Sequence, residues 1–320
     1  MKAIGVDLGG THVLAAVIED DGSIRSKHEI DVDDRSFEHV MELLETAISG
    51  ALADAGSNVI GIGIGSPGNI DAQTGTIRYS PNFGDTWKGA PLGARLHQRF
   101  GIPVFVGNDA RCATLGEYTY GVGRGTKDFV LITLGTGIGG GIIADGNLVL
   151  GAAMGAGEIG HHQIRPTDGF VCGCGKIGCF EAQASGTGLI RHATALVSSF
   201  PRSMLLAGAP MDLGSKRIRK AAQAGDQHAV AAWKNYISDL ALGVANIVAF
   251  LNPELIALGG GVSKAEEFLL DAVRPRVDDL VTMAPRGSTR ISIAQFENDA
   301  GALGAATMAM RGGLRTGKVA

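Results

Sequence analysis

Apolar runs that end in glycine-rich turns dominate the pattern of the chain. Three such runs stand out, at Ile4–Thr11, Val59–Gly68 and Phe129–Gly141. In the first and the third, a second apolar run follows the turn and ends in Asp-Gly, which is typical of a β-hairpin. The same plan returns about 125 residues later, which indicates an internal duplication with two related α/β halves.

Segments with helical periodicity separate these runs. Between Phe37 and Ala51, apolar residues recur at spacings of three and four, which predicts one apolar helix face. The pattern also predicts a helix from Asn108 or Asp109 onward and a largely buried helix over Gln227–Phe250. Strands that alternate with helices indicate an α/β protein.

A shorter repeat supports the duplication. The segment 108–116 reads NDARCATLG and the segment 298–304 reads NDAGALG, and each opens a predicted helix after a strand-like run. We predict a small α/β domain of residues 1–117 with about 301–320. Residues 118–300 are predicted to form a large α/β domain that carries a cluster of cysteines.

The composition restricts the classes of partner. Hydrophobic residues make up 45% of the 320 residues, charged residues make up 19%, and the formal net charge is −4. This balance fits a soluble globular protein and argues against nucleic acid or an anionic membrane as the main partner. Asp7 lies where a signal peptide would need its apolar region, and the apolar stretch Leu240–Leu251 is shorter than the roughly 20 residues that span a bilayer. We therefore expect a cytoplasmic protein.

Two of the glycine turns are candidate phosphate-binding loops, because phosphate reaches backbone N–H groups closely only where side chains are small. Asp7 precedes the first turn and could hold Mg²⁺ through water. The candidate donors are Gly9, Gly10 and Thr11 in the first loop and Gly135, Thr136, Gly137 and Gly139 in the second. Either loop alone could be only a tight hairpin, whereas two on facing domains could hold a triphosphate between them.

Dinucleotide-binding patterns also occur in this region. Both Gly135–Gly140 and Gly63–Gly68 satisfy the G-x-G-x-x-G spacing. That fingerprint must open a helix, but a strand and a turn follow the first match and a loop follows the second. The chain has no Gly-Lys-Ser/Thr phosphate loop either. An NAD-dependent enzyme is therefore the weaker hypothesis.

Three cysteines on a glycine-rich turn indicate a metal site. Cys172, Cys174 and Cys179 fall within eight residues, and His161 or its neighbour His162 could supply the fourth ligand. A redox pair is disfavoured because the spacing is not Cys-x-x-Cys. Three thiolates and one imidazole would fill the tetrahedral coordination of zinc, so we predict a structural Zn²⁺.

Together, these motifs resemble the ROK family of sugar kinases and sugar-responsive repressors, members of the actin/hexokinase-like fold. The resemblance covers essentially the whole chain and implies a duplicated two-domain α/β fold with a central cleft. The matching motifs are Asp7–Thr11, Asn108–Ala110, Leu134–Gly141, Glu158–His161 and Cys172–Glu181.

The resemblance assigns roles to individual residues. Asp109 resembles the catalytic base that takes the proton of the attacking sugar hydroxyl, although an aspartate at this place is also a common helix N-cap. We interpret Asp299, at the matching place of the repeat, as an N-cap only. His161 would bind sugar through one ring nitrogen and zinc through the other. The positions that resemble sugar-binding residues are Gly68, Asn82, Asn108, Asp109, Glu158, His161 and Glu181, and Gly260 and Gly261 resemble the adenosine-side loop.

The implied activity is the ATP-dependent phosphorylation of a hexose, with ATP, Mg²⁺ and a structural Zn²⁺. Glucose is the preferred substrate, because the segments 80–88 (SPNFGDTWK) and 158–161 (EIGH) resemble those of bacterial ROK glucokinases. Fructose, mannose, N-acetylglucosamine and N-acetylmannosamine are alternatives within the same site plan. A sugar-binding regulator without catalysis is the alternative from another class.

One position departs from many relatives, which carry Lys directly after Gly-Gly-Thr where this chain has His12. Repressors of the family carry a helix-turn-helix before the first glycine loop. Only a few residues precede that loop here, so we expect a kinase-type member without a nucleic-acid partner. Because relatives are often dimers or tetramers, the resemblance also implies a homodimer or homotetramer.

Overall fold

The apolar runs of the sequence form strands, and its periodic segments form helices. The structure, a computed structural model, describes residues 1–80, 83–206 and 213–314. The strands are β1 (Lys2–Leu8), β2 (His12–Glu19), β3 (Ile24–Asp31), β4 (Val59–Ser66), β5 (Asn69–Asp71), β6 (Thr76–Tyr79), β7 (Val104–Asn108), β8 (Phe129–Leu134), β9 (Ile138–Ala144), β10 (Asn147–Leu148), β11 (Leu255–Gly259) and β12 (Arg290–Ile293). The helices are α1 (Phe37–Ala55), α2 (Leu92–Phe100), α3 (Asp109–Thr119), α4 (Phe180–Ala184), α5 (Gly186–Ala195), α6 (Ser215–Gln223), α7 (Gln227–Leu251), α8 (Glu267–Leu280) and α9 (Ala300–Met310).

Two five-stranded sheets share one plan. The strand order is β3-β2-β1-β4-β7 in the first sheet and β10-β9-β8-β11-β12 in the second. In the first sheet, β1 pairs antiparallel with β2 and parallel with β4, and β7 continues parallel to β4. In the second sheet, β11 pairs parallel with both β8 and β12. The two sheets therefore repeat one topology, and the predicted duplicated α/β architecture is confirmed.

The chain divides into two compact units. The first unit contains residues 1–127, 141–157 and those from 295 onward, and the second contains residues 128–140 and 158–294. The division falls inside β9, and α9 belongs to the first unit although it comes last in the chain. The domain limits predicted from the sequence, 117/118 and about 300/301, stay a prediction.

The first sheet is covered on both faces. One face packs against α1 and α2 through residues such as Val6, Leu44 and Leu96. The other face packs against α9 through residues such as Ile18 and Ala306. Because both faces are buried, β1 and β2 have continuous apolar runs in place of an alternation of apolar and polar residues.

Helices α3 and α9 cross closely within the first unit. Gly116 of α3 lies against the carbonyl of Ala300, and Gly304 of α9 lies against the carbonyl of Cys112. A Cβ at Gly304 would overlap with the Cys112 oxygen, so this approach requires a glycine. The helix that begins at Asp109 is thereby supported by α9.

The core of the second unit contains the long helix α7. The Asp226 carboxylate caps it by accepting a hydrogen bond from Ala229 N (3.0 Å). The predicted helix over Gln227–Phe250 is confirmed and ends one residue later, at Leu251. Among the helices in the described part of the chain, α7 included, none is long and apolar enough to cross a membrane.

Candidate functional site

Two carboxylates lie at one edge of the first sheet. Asp7 is the penultimate residue of β1, and Asp109 begins α3 directly after β7. Both strands run parallel to β4, so their carboxyl ends meet at the same edge. Burial, and secondarily the charge of Asp109, raise the pKa of Asp7 to about 7. A cation at this edge would relieve the repulsion between the two carboxylates.

Asp109 is held in one orientation. Its Oδ1 accepts hydrogen bonds from Ala110 N (2.8 Å) and from Asn108 Nδ2 (2.9 Å). The N-cap of α3 is Asn108, whose side chain accepts a hydrogen bond from Arg111 N (3.2 Å). Asp109 therefore does not occupy the N-cap position. Asp299 does occupy that position of α9, but it makes no capping hydrogen bond and its carboxylate binds Lys27 Nζ (2.6 Å).

Asn108 connects this carboxylate with the loop after β4. Its Nδ2 also lies 3.3 Å from the carbonyl oxygen of Gly68. Gly68 has a φ of 106°, and a Cβ there would overlap with Tyr79 O, so the turn requires glycine. Three of the predicted sugar-binding residues, Gly68, Asn108 and Asp109, thus lie together. The predicted residue Asn82 lies outside the described residues.

The first glycine loop is a closed turn between β1 and β2. Gly9 N donates to the carbonyl of His12 (2.9 Å), which makes the tight hairpin predicted from the sequence. Arg35 Nε donates to Gly10 O (2.9 Å), and Thr11 Oγ1 lies 3.1 Å from His12 Nδ1. An imidazole and a guanidinium therefore lie beside this loop.

The second glycine loop is a turn of the same kind in the second unit. Gly135 N donates to Gly137 O (3.0 Å), and Gly139 N donates to Thr133 Oγ1 (3.1 Å). The start of α5 closes over this turn, because Gly186 N donates to Gly135 O (2.8 Å). Thr187 Oγ1 donates to the carbonyl of Thr136 (2.8 Å). The positive end of a helix thus lies beside the predicted phosphate donors.

The loop after β11 approaches the same turn. Gly260 has a φ of 84°, and a Cβ there would lie 2.7 Å from the carbonyl atoms of Leu134. Val262 N donates to Leu134 O (3.1 Å), and Ser263 Oγ donates to Gly260 O (2.7 Å). A Cβ at the neighbouring Gly261 would meet open space. The predicted adenosine-side glycines therefore lie next to the strand that leads into the second loop.

Some residues around these loops were missed by the sequence analysis. They are Ser185 and Thr187 at the start of α5, Arg35 beside the first loop, and Arg111. The Arg111 side chain is buried and donates to the carbonyls of Met154 (2.7 Å) and Ala156 (2.9 Å), just before Glu158. The segment Ser-Gly-Thr-Gly that follows the cysteine motif has the pattern of a helix N-cap and could have identified the first two. No local pattern marks either arginine.

A four-residue cluster in the second unit has the donor set of a zinc site. The ligand atoms of His161, Cys172, Cys174 and Cys179 all lie within 4.8 Å of one another. Cys174 Sγ lies 3.6 Å from Cys179 Sγ, and Cys172 Sγ lies 3.8 Å from His161 Nδ1. Zn–S bonds of about 2.3 Å in a tetrahedron put sulfur atoms about 3.8 Å apart, so these residues fit zinc.

The alternative ligand His162 is engaged elsewhere. Its Nδ1 lies 2.5 Å from Ile159 O, and its ring packs at 5.2 Å against that of Phe180. Burial lowers the pKa of His162. The cluster found among the described residues contains His161 and not His162.

The thiols of the cluster differ in acidity when no metal is present. Burial raises the pKa of Cys179 to about 12, whereas a hydrogen bond from the backbone of Lys176 lowers the pKa of Cys174. A bound metal therefore displaces at least the Cys179 proton, which makes metal affinity dependent on pH.

In the sequence, Glu158 precedes the cluster residues and Glu181 follows them. His161 N donates to Glu158 O (3.1 Å), so Glu158 and His161 share one short turn. Glu181 Oε2 accepts a hydrogen bond from Ile138 N (2.9 Å), and its Oε1 lies 3.6 Å from Cys172 Sγ. Glu181 thus joins the metal cluster to the second glycine loop.

Comparison with known proteins identifies the family and the fold of the chain. Residues 3–311 match the profile of the ROK family. A glucokinase of Thermotoga maritima is 37% identical over 312 residues, which cover 96% of this chain and 97% of the relative. A glucokinase of Halalkalibacterium halodurans is 38% identical over 308 residues, which cover 94% and 92%. The structure of a ROK family glucokinase from Streptomyces griseus in complex with glucose and AMPPNP superimposes with a TM-score of 0.84 at 35% identity and covers 97% of this chain and 100% of that one. The predicted actin/hexokinase-like fold is confirmed, and the chain belongs to the ROK family.

Proposed function

We propose that this protein transfers the γ-phosphoryl group of ATP to glucose and forms glucose 6-phosphate and ADP. The observation that carries the proposal is the similarity, over 97% of this chain, to a glucokinase solved with glucose and AMPPNP. The carboxylates at the ends of β1 and β7 support it. Phosphoryl transfer requires a carboxylate that positions the acceptor hydroxyl and a site for the metal that accompanies the nucleotide.

In the proposed mechanism, Asp109 takes the proton of the sugar hydroxyl while that oxygen attacks the γ-phosphorus. The bond between this phosphorus and the oxygen that bridges to the β-phosphate breaks, and ADP leaves. The two hydrogen bonds on Asp109 Oδ1 keep the carboxylate in one orientation, which favours transfer of the proton. Bound Mg²⁺ would neutralise charge on the phosphate oxygens, and Asp7 would hold it through water.

The other residues bind and orient the ligands. Sugar hydroxyls are assigned to Gly68, Asn82, Asn108, Asp109, Glu158, His161 and Glu181. Nucleotide phosphates are assigned to Gly9, Gly10, Thr11, Gly135, Thr136, Gly137 and Gly139, and the adenosine side to Gly260 and Gly261. Zinc, held by His161, Cys172, Cys174 and Cys179, would have no open coordination position and would keep His161 in place for the sugar. A cytoplasmic location and a homodimer or homotetramer stay predictions.

A coupled assay of ADP release across several sugars tests the proposal. Glucose is expected to give the largest kcat/KM among glucose, fructose, mannose, N-acetylglucosamine and N-acetylmannosamine. Failure of glucose together with turnover of an acetylated sugar would refute the substrate assignment. Tight sugar binding without ADP release from any sugar would support the non-catalytic regulator instead.

Asp109→Asn tests the assignment of the base, and the chain offers a matched control. We expect this variant to lose phosphorylation while it retains glucose binding, because the amide cannot accept the proton but keeps the size of the side chain. Asp299→Asn changes the corresponding residue of the repeat, which binds Lys27, and is expected to retain turnover. Near-normal turnover by Asp109→Asn would contradict the mechanism.

A further inference from the structure

A fully buried carboxylate lies in the second unit, outside the glycine loops and the metal cluster. Asp239, in the middle of α7, has a relative exposure of 0%. Carboxylates are rarely buried to this extent without charged partners. Asp239 Oδ1 accepts a hydrogen bond from Arg165 Nε (2.5 Å), and His192 Nε2 lies 3.2 Å from Asp239 Oδ2. Within the described residues Asp239 Oδ2 accepts no hydrogen bond, because His192 Nε2 is directed at Gln183 O. The buried acid of α7 is therefore hydrogen-bonded to Arg165 and lies beside the imidazole of His192.

The first partner belongs to the segment that binds the metal. Arg165 comes four residues after His161, and its backbone N donates to Gly178 O (3.1 Å), directly before Cys179. The carbonyl of Arg165 accepts a hydrogen bond from Gly169 N (3.1 Å). The backbone of Arg165 thus joins two parts of the metal-binding segment, and its side chain joins that segment to α7.

The second partner contacts the same segment from α5. His192 Nε2 lies 3.2 Å from Gln183 O, and the imidazole packs edge-on against Phe170 at 5.1 Å. Gln183 comes two residues after Glu181, and Phe170 comes two residues before Cys172. His192 therefore contacts the chain before Cys172, through Phe170, and after Cys179, through Gln183 just beyond Glu181.

We propose that Asp239 is a positioning residue, which holds the segment 161–181 on α7 through Arg165 and His192. In this position the segment retains zinc and presents His161 and Glu181 to the sugar. The part of this proposal that concerns sugar rests on the proposed function. A side chain that supports metal ligands from behind fixes their orientation, and its loss lowers metal retention even though it touches neither metal nor substrate.

The test uses the zinc-loaded full-length protein and two measurements: the rate at which the chromophoric chelator 4-(2-pyridylazo)resorcinol removes zinc, and the glucose KM separately from kcat. We expect Asp239→Asn to raise the zinc release rate and the glucose KM by about tenfold or more. We expect kcat to stay within about threefold of wild type, because the network touches no reacting atom. The matched control is Asp168→Asn, since Asp168 pairs with the same Arg165 (3.4 Å) from an exposed position. In this control the zinc release rate and the glucose KM should both stay within about twofold of wild type.

Two further variants separate positioning from stability. Arg165→Lys keeps a charge at a partly exposed side chain but loses the Nε hydrogen bond. It should raise the zinc release rate and the glucose KM, and it can be measured even if Asp239→Asn does not fold. Arg165→Met combined with Asp239→Leu replaces the buried pair with apolar groups, so thermal stability should recover while zinc release and glucose KM stay raised. Wild-type zinc release in Asp239→Asn or Arg165→Lys, or a wild-type glucose KM in the double variant, would overturn the proposal. If the wild-type protein does not phosphorylate glucose, the proposed function fails, and the zinc release rates alone decide the role of Asp239.

Discussion

The proton on Asp7 links the stability of the protein to its proposed activity. Burial and the neighbouring Asp109 raise the pKa of Asp7 from its ordinary value of 3.8 to about 7 in the folded protein. Between these two pH values the folded protein holds a proton that the unfolded chain has released. Raising the pH from about 4 to about 7 therefore lowers the free energy of unfolding through this group. The loss reaches about 4 kcal/mol, since each pH unit in that interval contributes about 1.36 kcal/mol.

Asp7→Asn removes this penalty because the amide carries no charge at any pH. At pH 8, without Mg²⁺ and nucleotide, we expect the free energy of unfolding to be higher than that of wild type by up to about 4 kcal/mol. At pH 4 both side chains are neutral in the folded protein, so the difference should nearly vanish. Phosphorylation should be lost at every pH, because the amide is a poor partner for hydrated Mg²⁺.

Urea denaturation followed by circular dichroism at pH 5, 6, 7 and 8 measures the effect. Asp109→Asn is the informative comparison, since it removes only the charge that contributes secondarily to the pKa of Asp7. At pH 8, Asp109→Asn should raise the free energy of unfolding by less than Asp7→Asn does. A stability difference for Asp7→Asn that is equal at pH 5 and pH 8, or a loss of stability at pH 8, would refute the reasoning.

Three other substitutions test the metal cluster, the loop after β11 and a buried acid. Cys179→Ser should reduce bound zinc, measured by atomic emission, from about one per chain to a small fraction, whereas Cys112→Ser, outside the cluster, should retain it. Gly260→Ala should lower the melting temperature because of its positive φ and its contact with the preceding strand, whereas Gly261→Ala should leave it nearly unchanged; equal effects would contradict the geometry. Glu117→Ala should lower the free energy of unfolding by about 1–3 kcal/mol in urea titrations, since it leaves the backbone N–H groups of Val122 and Phe296 without the acceptor that they have in the wild type; a wild-type value would contradict this.

Local patterns were sufficient to predict much of the fold and part of the site. The two hairpins follow from apolar runs around glycine turns, and the metal cluster follows from cysteine spacing. The choice between His161 and His162 required the structure, because neighbouring residues differ only in the direction of their side chains. The same holds for the N-cap of α3, which is Asn108 although Asp109 was an equally acceptable residue type.

Interactions between distant segments could not be predicted in this way. Arg165 and Asp239 are separated by 74 residues, and Glu117 and Phe296 by 179. Neither pair lies in a periodic pattern that would indicate its partner. The raised pKa of Asp7 likewise depends on the burial of a strand end and on a second carboxylate about 100 residues away in the chain.

The position of α9 has a consequence for synthesis of the protein on the ribosome. Most of the first unit lies within residues 1–127, but one face of its sheet is covered by the helix Ala300–Met310. At about 5–20 residues per second, that helix is made roughly 10–40 seconds after residue 127. During this interval the nascent chain presents an apolar sheet face that includes Leu14 and Ile18. The part of the chain that is translated first therefore depends on the helix that is made last, and chaperones would need to protect it in the interval.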